Sequence, residues 1–105
     1  MITLEIKNYD VLDQKIALKL SGIFKVLSDP TRINILNILK HGENSVTEIA
    51  LKLNMTHSAI SHQLRILKDK NLVKYKKRGK EVFYAFADHH VLSIYNQALE
   101  HIQHT

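Results

Sequence analysis

The chain has no cysteine and no tryptophan among its 105 residues, and it has only one proline. Without cysteine it forms no disulfide, carries no thiol for redox sensing or nucleophilic catalysis, and offers no thiolate to a metal ion. Any metal bound by this protein must therefore be one that accepts nitrogen and oxygen ligands.

Long hydrophobic runs are also absent. No apolar segment approaches the roughly 20 residues that a membrane-spanning helix needs, and Glu5, Lys7 and Asp10 interrupt the apolar residues that a signal peptide would require. We therefore expect no membrane partner and a cytoplasmic location. The chain has no internal repeat, low-complexity segment or linker, so residues 1–105 are expected to form one domain.

Acidic residues are scarce in one part of the chain, although the net charge is only +5. Between Ser61 and Lys80, Asp69 is the one acid, and the basic residues are Arg65, Lys68, Lys70, Lys74, Lys76, Lys77, Arg78 and Lys80. Such a basic stripe is typical of proteins that bind polyanions, with nucleic acid first among them. Charge alone leaves an ordinary solvated face as an equal alternative.

Periodicity and capping residues predict the elements. Helical spacing runs from about residue 10 to 27, and the single proline follows Asp29 as in a helix start. A capping box at Ser45 and Glu48 opens a third helix, and Thr56 caps a fourth that runs to about Lys70. The period then changes to two around a Lys77–Lys80 tip, which predicts a β-hairpin, before a last helix from about 88 to 104. Residues 1–8 alternate as a short strand or an ordered arm would.

This order predicts a mainly α fold with a small β-hairpin, a winged helix-turn-helix with extra helices at both ends. In the fourth helix Ile60, Leu64 and Leu67 share one face, and small or basic side chains occupy the opposite face, as entry into a DNA major groove requires. Arg65 is the best candidate for a guanine or phosphate contact. The predicted DNA-binding residues are Thr56, His57, Ser58, Ser61, His62, Arg65, Lys76, Lys77, Arg78 and Lys80. Tyr75, Phe83 and Tyr84 are expected to pack the hairpin rather than to stack on bases.

The last helix carries Asp88, His90, His101 and His104, a complete tetrahedral donor set for zinc. The three histidines share one helix face, but His101 lies about 16 Å along the axis from His90, so one chain cannot close the site. An antiparallel copy of the helix, crossing near Asn96 and Gln97, would bring the two halves together. The spacing therefore predicts a homodimer through its terminal helices with two zinc sites.

Three segments together resemble the ArsR/SmtB family of bacterial metal-sensing repressors: residues 29–32 with the following Ile-Leu run, residues 46–50, and residues 58–68. Leu72 and Val73 with the 78–80 tip complete the pattern. The C-terminal ligands are similar to those of CzrA-type zinc and cobalt sensors, in which the site spans the dimer interface. The resemblance therefore implies that Asp88 and His90 of one subunit bind metal with His101 and His104 of the other. The family's thiolate site needs cysteines near residues 43–46, where this chain has none.

The expected function is a metal-responsive transcriptional repressor. The metal-free dimer binds an inverted-repeat DNA operator, and zinc binding releases it, derepressing metal efflux or homeostasis genes. Cobalt or nickel remains open as the physiological metal. A winged-helix regulator that metal does not control is the alternative. A metalloenzyme is not expected, because four protein ligands close the metal shell and no spare carboxylate is suitably placed. No organic substrate is expected either.

Overall fold

Helices and one small antiparallel sheet alternate along the part of the chain that the computed structural model describes, residues 10–104. The predicted strand or arm at residues 1–8 lies outside this range. The elements in chain order are α1 (Gln14–Leu27), α2 (Pro30–Leu39), β1 (Asn44–Ser45), α3 (Val46–Leu53), α4 (His57–Asp69), β2 (Val73–Arg78), β3 (Glu81–Phe86) and α5 (His89–Gln103). This arrangement confirms the predicted winged helix-turn-helix with added terminal helices.

Side chains placed just before each helix determine where it begins. Asp29 accepts a hydrogen bond from the Arg32 backbone N–H at 3.0 Å, with Pro30 as the first helical residue, as predicted. The predicted start of α1 near residue 10 is wrong. Asp13 caps this helix by accepting from the Lys15 N–H at 2.8 Å, so residues 10–13 precede the helix.

The predicted capping box at the start of α3 is confirmed. The Glu48 N–H donates to Ser45 Oγ at 3.0 Å, and the Ser45 N–H donates to Glu48 Oε1 at 2.8 Å. The hydrogen bond from the Ser45 backbone lowers the pKa of Glu48 below its ordinary 4.5, against a smaller opposing effect of burial. The ionised form of Glu48 is therefore the one that stabilises this helix start.

This lowered pKa predicts a pH-dependent contribution to stability. A folded pKa below the unfolded value means that the contribution is complete above about pH 4.5 and is lost as the pH falls through the folded pKa. We expect wild-type protein to resist urea better than Glu48→Gln at pH 7, and the difference to shrink between about pH 5 and about pH 3. Urea unfolding of both proteins across this range measures it. A difference that stays constant with pH would contradict the role of the charge.

Strand β3 lies between β1 and β2 in the sheet. The hairpin register pairs Tyr75 with Tyr84 and Arg78 with Glu81, so Lys77 and Arg78 belong to β2. The turn comprises only Gly79 and Lys80 and is tighter than the predicted four-residue tip. Gly79 has φ +62, a backbone angle that favours glycine. The two-residue strand β1 was not predicted, and it joins the loop before α3 to the hairpin.

The core lies among α2, α3, α4 and the inner face of the sheet. Its fully enclosed side chains include Ile35, Leu36, Ile49, Ile60, Leu64 and Leu67. Within the Ile-Leu run of α2, Leu36 and Leu39 are buried, while Ile38 is only partly so. Ile35, which the sequence pattern did not single out, is completely buried. In residues 10–104 no helix is both long and apolar enough to cross a membrane.

The terminal helices keep apolar side chains at the surface. On the apolar side of α1, Ile23 and Leu27 pack against the core, whereas Ile16 and Leu20 are 55% and 43% exposed. Phe24 is 56% exposed and borders an apolar groove of about 230 Å³ between α1, α2 and α5. Contiguous apolar surface of this kind is typical of a protein–protein interface.

Candidate nucleic-acid interface and metal ligands

The helix-turn-helix consists of α3, a tight turn and α4. Asn54 ends α3 in the left-handed conformation (φ 53), and the Met55 N–H returns to the Ala50 carbonyl at 3.0 Å. Asparagine is one of the few side chains that tolerate this backbone geometry. The turn lets α4 lie across α3 with Ile60, Leu64 and Leu67 fully buried, as the sequence predicted.

The opposite face of α4 is open to solvent. His57, Ser58, His62 and Arg65 are exposed there, and Ser61 beside them is half-buried. Thr56 precedes them as the helix cap, its hydroxyl accepting from the Ala59 N–H at 3.0 Å. The structure thus gathers the predicted DNA-binding residues of the helix on one accessible side.

Arg32 of α2 links α4 to α1. Its Nε donates to the Val26 carbonyl at the end of α1 (2.7 Å), and its Nη1 donates to Gln63 Oε1 on α4 (3.0 Å). Arg32 is part of the family-like segment, but no local sequence pattern indicates this role. The contact holds three helices in a fixed relation.

Aromatic side chains join the hairpin to α4. The rings of Tyr75 and Tyr84 lie 5.6 Å apart, and Lys68 Nζ of α4 lies 5.0 Å from the centre of the Tyr75 ring. Burial raises the pKa of Tyr84, with a further contribution from Tyr75, while the nearby Arg65 opposes the shift. These contacts agree with the packing role expected for the aromatic residues.

The predicted cations of the hairpin divide between its two faces. Lys76 and Arg78 share a face with Phe83, while Lys77 is paired with Val82 on the other face and Lys80 lies in the turn. Lys76 Nζ lies 3.9 Å from Glu43 Oε2, and the Arg78 guanidinium donates to Glu43 Oε1. Glu43 was not predicted as part of this surface, because no local pattern indicates that the loop before α3 meets the hairpin.

At the start of α5, Asp88 and His90 lie together. Asp88 caps the helix, so it precedes α5 rather than lying within it as predicted. Its Oδ1 accepts from the backbone N–H groups of His90 (2.9 Å) and Val91 (3.2 Å), and His90 Nδ1 lies 3.4 Å from the same oxygen. The hydrogen bond from Val91 does most to lower the pKa of Asp88. Asp88 is therefore kept as a carboxylate, the form that binds a metal ion.

His101 and His104 lie at the opposite end of α5. His101 is in the last turn, His104 is the C-cap residue, and both are exposed. Within residues 10–104, no three His, Asp or Glu side chains are close enough to hold one metal ion. One chain therefore brings Asp88 together with His90 but not with the other two. The four side chains still fit zinc chemically, as three imidazoles and an ionised carboxylate accessible at the surface.

His89 is a neighbour of this pair and lies outside the four predicted ligands. It is exposed, and its ring lies 4.3 Å from the ring of His90. His89 therefore lies next to the Asp88 and His90 pair at the surface.

Comparison with known proteins gives a consistent result. Residues 29–75 match the model of the family described as "Bacterial regulatory protein, arsR family". The chain is 39% identical to the transcriptional repressor SmtB homolog of Synechocystis sp., over 88% of this chain and 68% of that protein. It is 34% identical to the transcriptional regulator NmtR of Mycobacterium tuberculosis, over 89% and 78% respectively.

A structural relative has the same architecture. The homodimeric winged helix-turn-helix DNA-binding domain Mb0332 of Mycobacterium bovis, described as a possible ArsR-family regulator, superposes with a TM-score of 0.80. The match has 27% identity and covers 89% of this chain and 88% of that one. These relatives are transcriptional regulators and DNA-binding domains rather than enzymes. On this sequence and structural similarity, the chain belongs to the ArsR family of helix-turn-helix transcriptional regulators.

Proposed function

We propose that residues 1–105 form one domain of a homodimeric, metal-responsive repressor. The metal-free dimer binds an inverted-repeat operator, and zinc bound between the subunits releases it, so that metal efflux or homeostasis genes are expressed. The observation that carries the proposal is the division of four metal-binding side chains between the two ends of one exposed helix, α5. Asp88 and His90 lie at its start, and His101 and His104 lie at its end.

A second subunit would both cover the exposed apolar surface and complete the metal sites. The exposed apolar residues of α1 and the groove bordered by α5 give the dimer a surface to bury. Antiparallel packing of α5 against its copy would place the start of one helix beside the end of the other, and twofold symmetry would repeat the arrangement. The ligands of each site would be Asp88 and His90 with His101 and His104 of the other copy.

The proposal that the protein binds DNA is supported by α4 and the hairpin. In a winged helix-turn-helix the exposed face of the second helix enters the major groove, and here that face carries Ser58, His62 and Arg65. Lys77 and Lys80 are exposed on the hairpin and would neutralise phosphates. Twofold symmetry of the protein then matches an inverted-repeat operator.

The names of further relatives favour control by metals. A cadmium resistance regulatory protein homolog of Staphylococcus aureus is 39% identical over 75% of this chain, and an arsenical resistance operon repressor of Staphylococcus xylosus is 36% identical over 78%. Because this chain has no cysteine, we assign it to the zinc and cobalt sensors with a C-terminal-helix site. Three nitrogen ligands and one oxygen suit tetrahedral zinc best.

The free energy needed to release the operator is consistent with two zinc sites per dimer. Emptying an operator from 99% to 1% occupancy takes about 5.5 kcal/mol of differential zinc binding, and allosteric coupling is typically about 1–3 kcal/mol per site. Zinc would supply this energy where Asp88 and His90 of one subunit hold it together with His101 and His104 of the other. The residues of α5 then fix how the two copies of the helix lie against each other.

Zinc titration of the protein bound to its upstream DNA tests the proposal. We expect zinc to weaken binding of wild-type protein by about 10-fold or more, and His101→Ala to remain bound at the same zinc concentration. His41→Ala removes an exposed histidine outside the site and should release DNA like wild type. Wild-type protein that stays bound at saturating zinc would indicate a regulator that metal does not control. Release of His101→Ala as readily as wild type would contradict the ligand assignment.

A further inference from the structure

An acidic side chain from outside the hairpin lies against the basic residues of the hairpin. Glu43, in the loop before β1, contacts both Lys76 and Arg78 on the Phe83 face of the hairpin. Both cations are among the predicted DNA-binding residues. We propose that Glu43 limits the affinity of the protein for DNA by occupying Lys76 and Arg78, so that phosphates must compete with its carboxylate. This role rests on the proposed DNA-binding function.

The hairpin is held in position by several contacts besides those of Glu43. Strands β2 and β3 pair over six residues each, and Asn44 and Ser45 add a third strand beside β3. Arg78 also stacks its guanidinium over the Phe83 ring, 4.5 Å from the ring centre. Exposed ion pairs contribute little to folding stability, and the Glu43 side chain is 39% exposed. The carboxylate therefore affects the charge of the surface more than its shape.

The two cations remain reachable by a competing anion. The side chains of Lys76 and Arg78 are 63% and 47% exposed even while they contact Glu43. A pocket of about 500 Å³ lies beside the two cations. It is lined by Glu43, Lys74, Lys76 and Phe83 among others. A DNA phosphate that reaches either cation must displace the Glu43 carboxylate from it. Removing that charge frees both cations to neutralise phosphates.

Glu43→Gln tests the proposal, because it keeps the size of the side chain and removes its charge. We expect the metal-free variant to bind both operator and unrelated duplex DNA about 3- to 10-fold more tightly at about 50 mM salt. The plot of log affinity against log salt should steepen by about 0.9 for each additional phosphate that the variant neutralises. The tighter binding should therefore fade as salt rises. Fluorescence anisotropy with labelled duplexes at several salt concentrations measures these quantities.

Two further variants separate local competition from other effects. Asp10→Asn makes the same change in net charge at an exposed position outside the hairpin, and it should leave affinity nearly unchanged. In a Lys76→Gln/Arg78→Gln background, Glu43→Gln should have no effect, because the cations through which it acts are gone. Thermal unfolding of each variant verifies that all remain folded.

Four results would overturn the role of Glu43. Weaker DNA binding by Glu43→Gln would show that the carboxylate supports the hairpin instead of competing with DNA. An increase in affinity equal to that of Asp10→Asn would reduce the effect to net charge. An increase that persists without Lys76 and Arg78 would place the effect elsewhere. Wild-type protein that binds no DNA would instead contradict the proposed function, whereas tight wild-type binding with an unchanged Glu43→Gln contradicts the Glu43 role alone.

Discussion

Two variants that each fail to bind zinc are expected to recover one zinc site per dimer when their subunits are combined. One variant is Asp88→Ala/His90→Ala, and the other is His101→Ala/His104→Ala. In either homodimer, both proposed sites lack two of their four ligands. In the heterodimer one site has lost all four ligands, and the other has all four intact. The expectation follows from the separation of the two ligand pairs along α5.

The expected effect is large. Loss of a partner that only orients a metal ligand typically weakens metal binding by 10- to 100-fold, so the loss of two direct ligands should weaken zinc affinity by more than about 100-fold. The single intact site of the heterodimer should regain an affinity close to that of wild type. The recovered amount should be one zinc ion per dimer, half that of the wild-type dimer.

Differently tagged subunits allow the heterodimer to be measured by itself. The two variants are co-expressed, the heterodimer is purified through both tags, and zinc binding is measured by competition with a chromogenic chelator and by native mass spectrometry. A dimer of Asp88→Ala/His90→Ala with a second, differently tagged copy of itself provides the matched control and should stay empty. A purified heterodimer of the two variants that binds no zinc would contradict the shared site, since ligands contributed within one chain leave no intact site in that heterodimer.

Structure that is set by neighbours along the chain is predictable from the sequence. The starts of α2, α3 and α4 were predicted because Asp29, Ser45 and Thr56 each satisfy backbone N–H groups within three residues. The buried stripe of α4 was predicted because a 3.6-residue period determines which side chains share a face. Such signals are contained in a short window of sequence.

Contacts between distant segments were not predicted. Arg32 meets Gln63 across 31 residues, and Glu43 meets Arg78 across 35. No periodic pattern relates these positions, since the contacts arise from the way α2 and the hairpin pack around the same core. The two-residue strand β1 is too short to show an alternating pattern, and it is the element that carries Glu43 to the hairpin.

The candidate metal site shows the same division. Helix geometry correctly kept the two ligand pairs of one chain apart, but Asp88 was treated as a helical residue, whereas it is the N-cap in the structure. The apolar side of α1 was likewise visible in the sequence. The exposure of these apolar side chains was not predicted. Periodicity indicates which side chains share a face, but it does not indicate whether another surface covers that face.

The adjacent residues Leu64 and Arg65 of α4 are expected to respond to alanine in opposite ways. Leu64 is completely buried, so Leu64→Ala removes core contacts and leaves a cavity. Comparable substitutions lower the free energy of unfolding by about 2–5 kcal/mol. Arg65 is exposed on the opposite face, where Arg65→Ala should change the free energy of unfolding by no more than about 0.5 kcal/mol. It should weaken operator binding by about 1–3 kcal/mol, the usual contribution of a specific arginine contact.

Urea unfolding at one fixed protein concentration compares the stabilities, because dimerisation makes apparent stability depend on concentration. Anisotropy with operator and unrelated duplexes, at a temperature where both variants are folded, compares the affinities. A guanine contact by Arg65 predicts a larger loss on operator than on unrelated DNA, whereas a phosphate contact predicts equal losses. If Arg65→Ala loses as much stability as Leu64→Ala, or binds operator as wild type does, α4 does not present its Arg65 face to DNA. Opposite responses from two neighbouring residues would separate the side of α4 that holds the fold from the side that reads the operator.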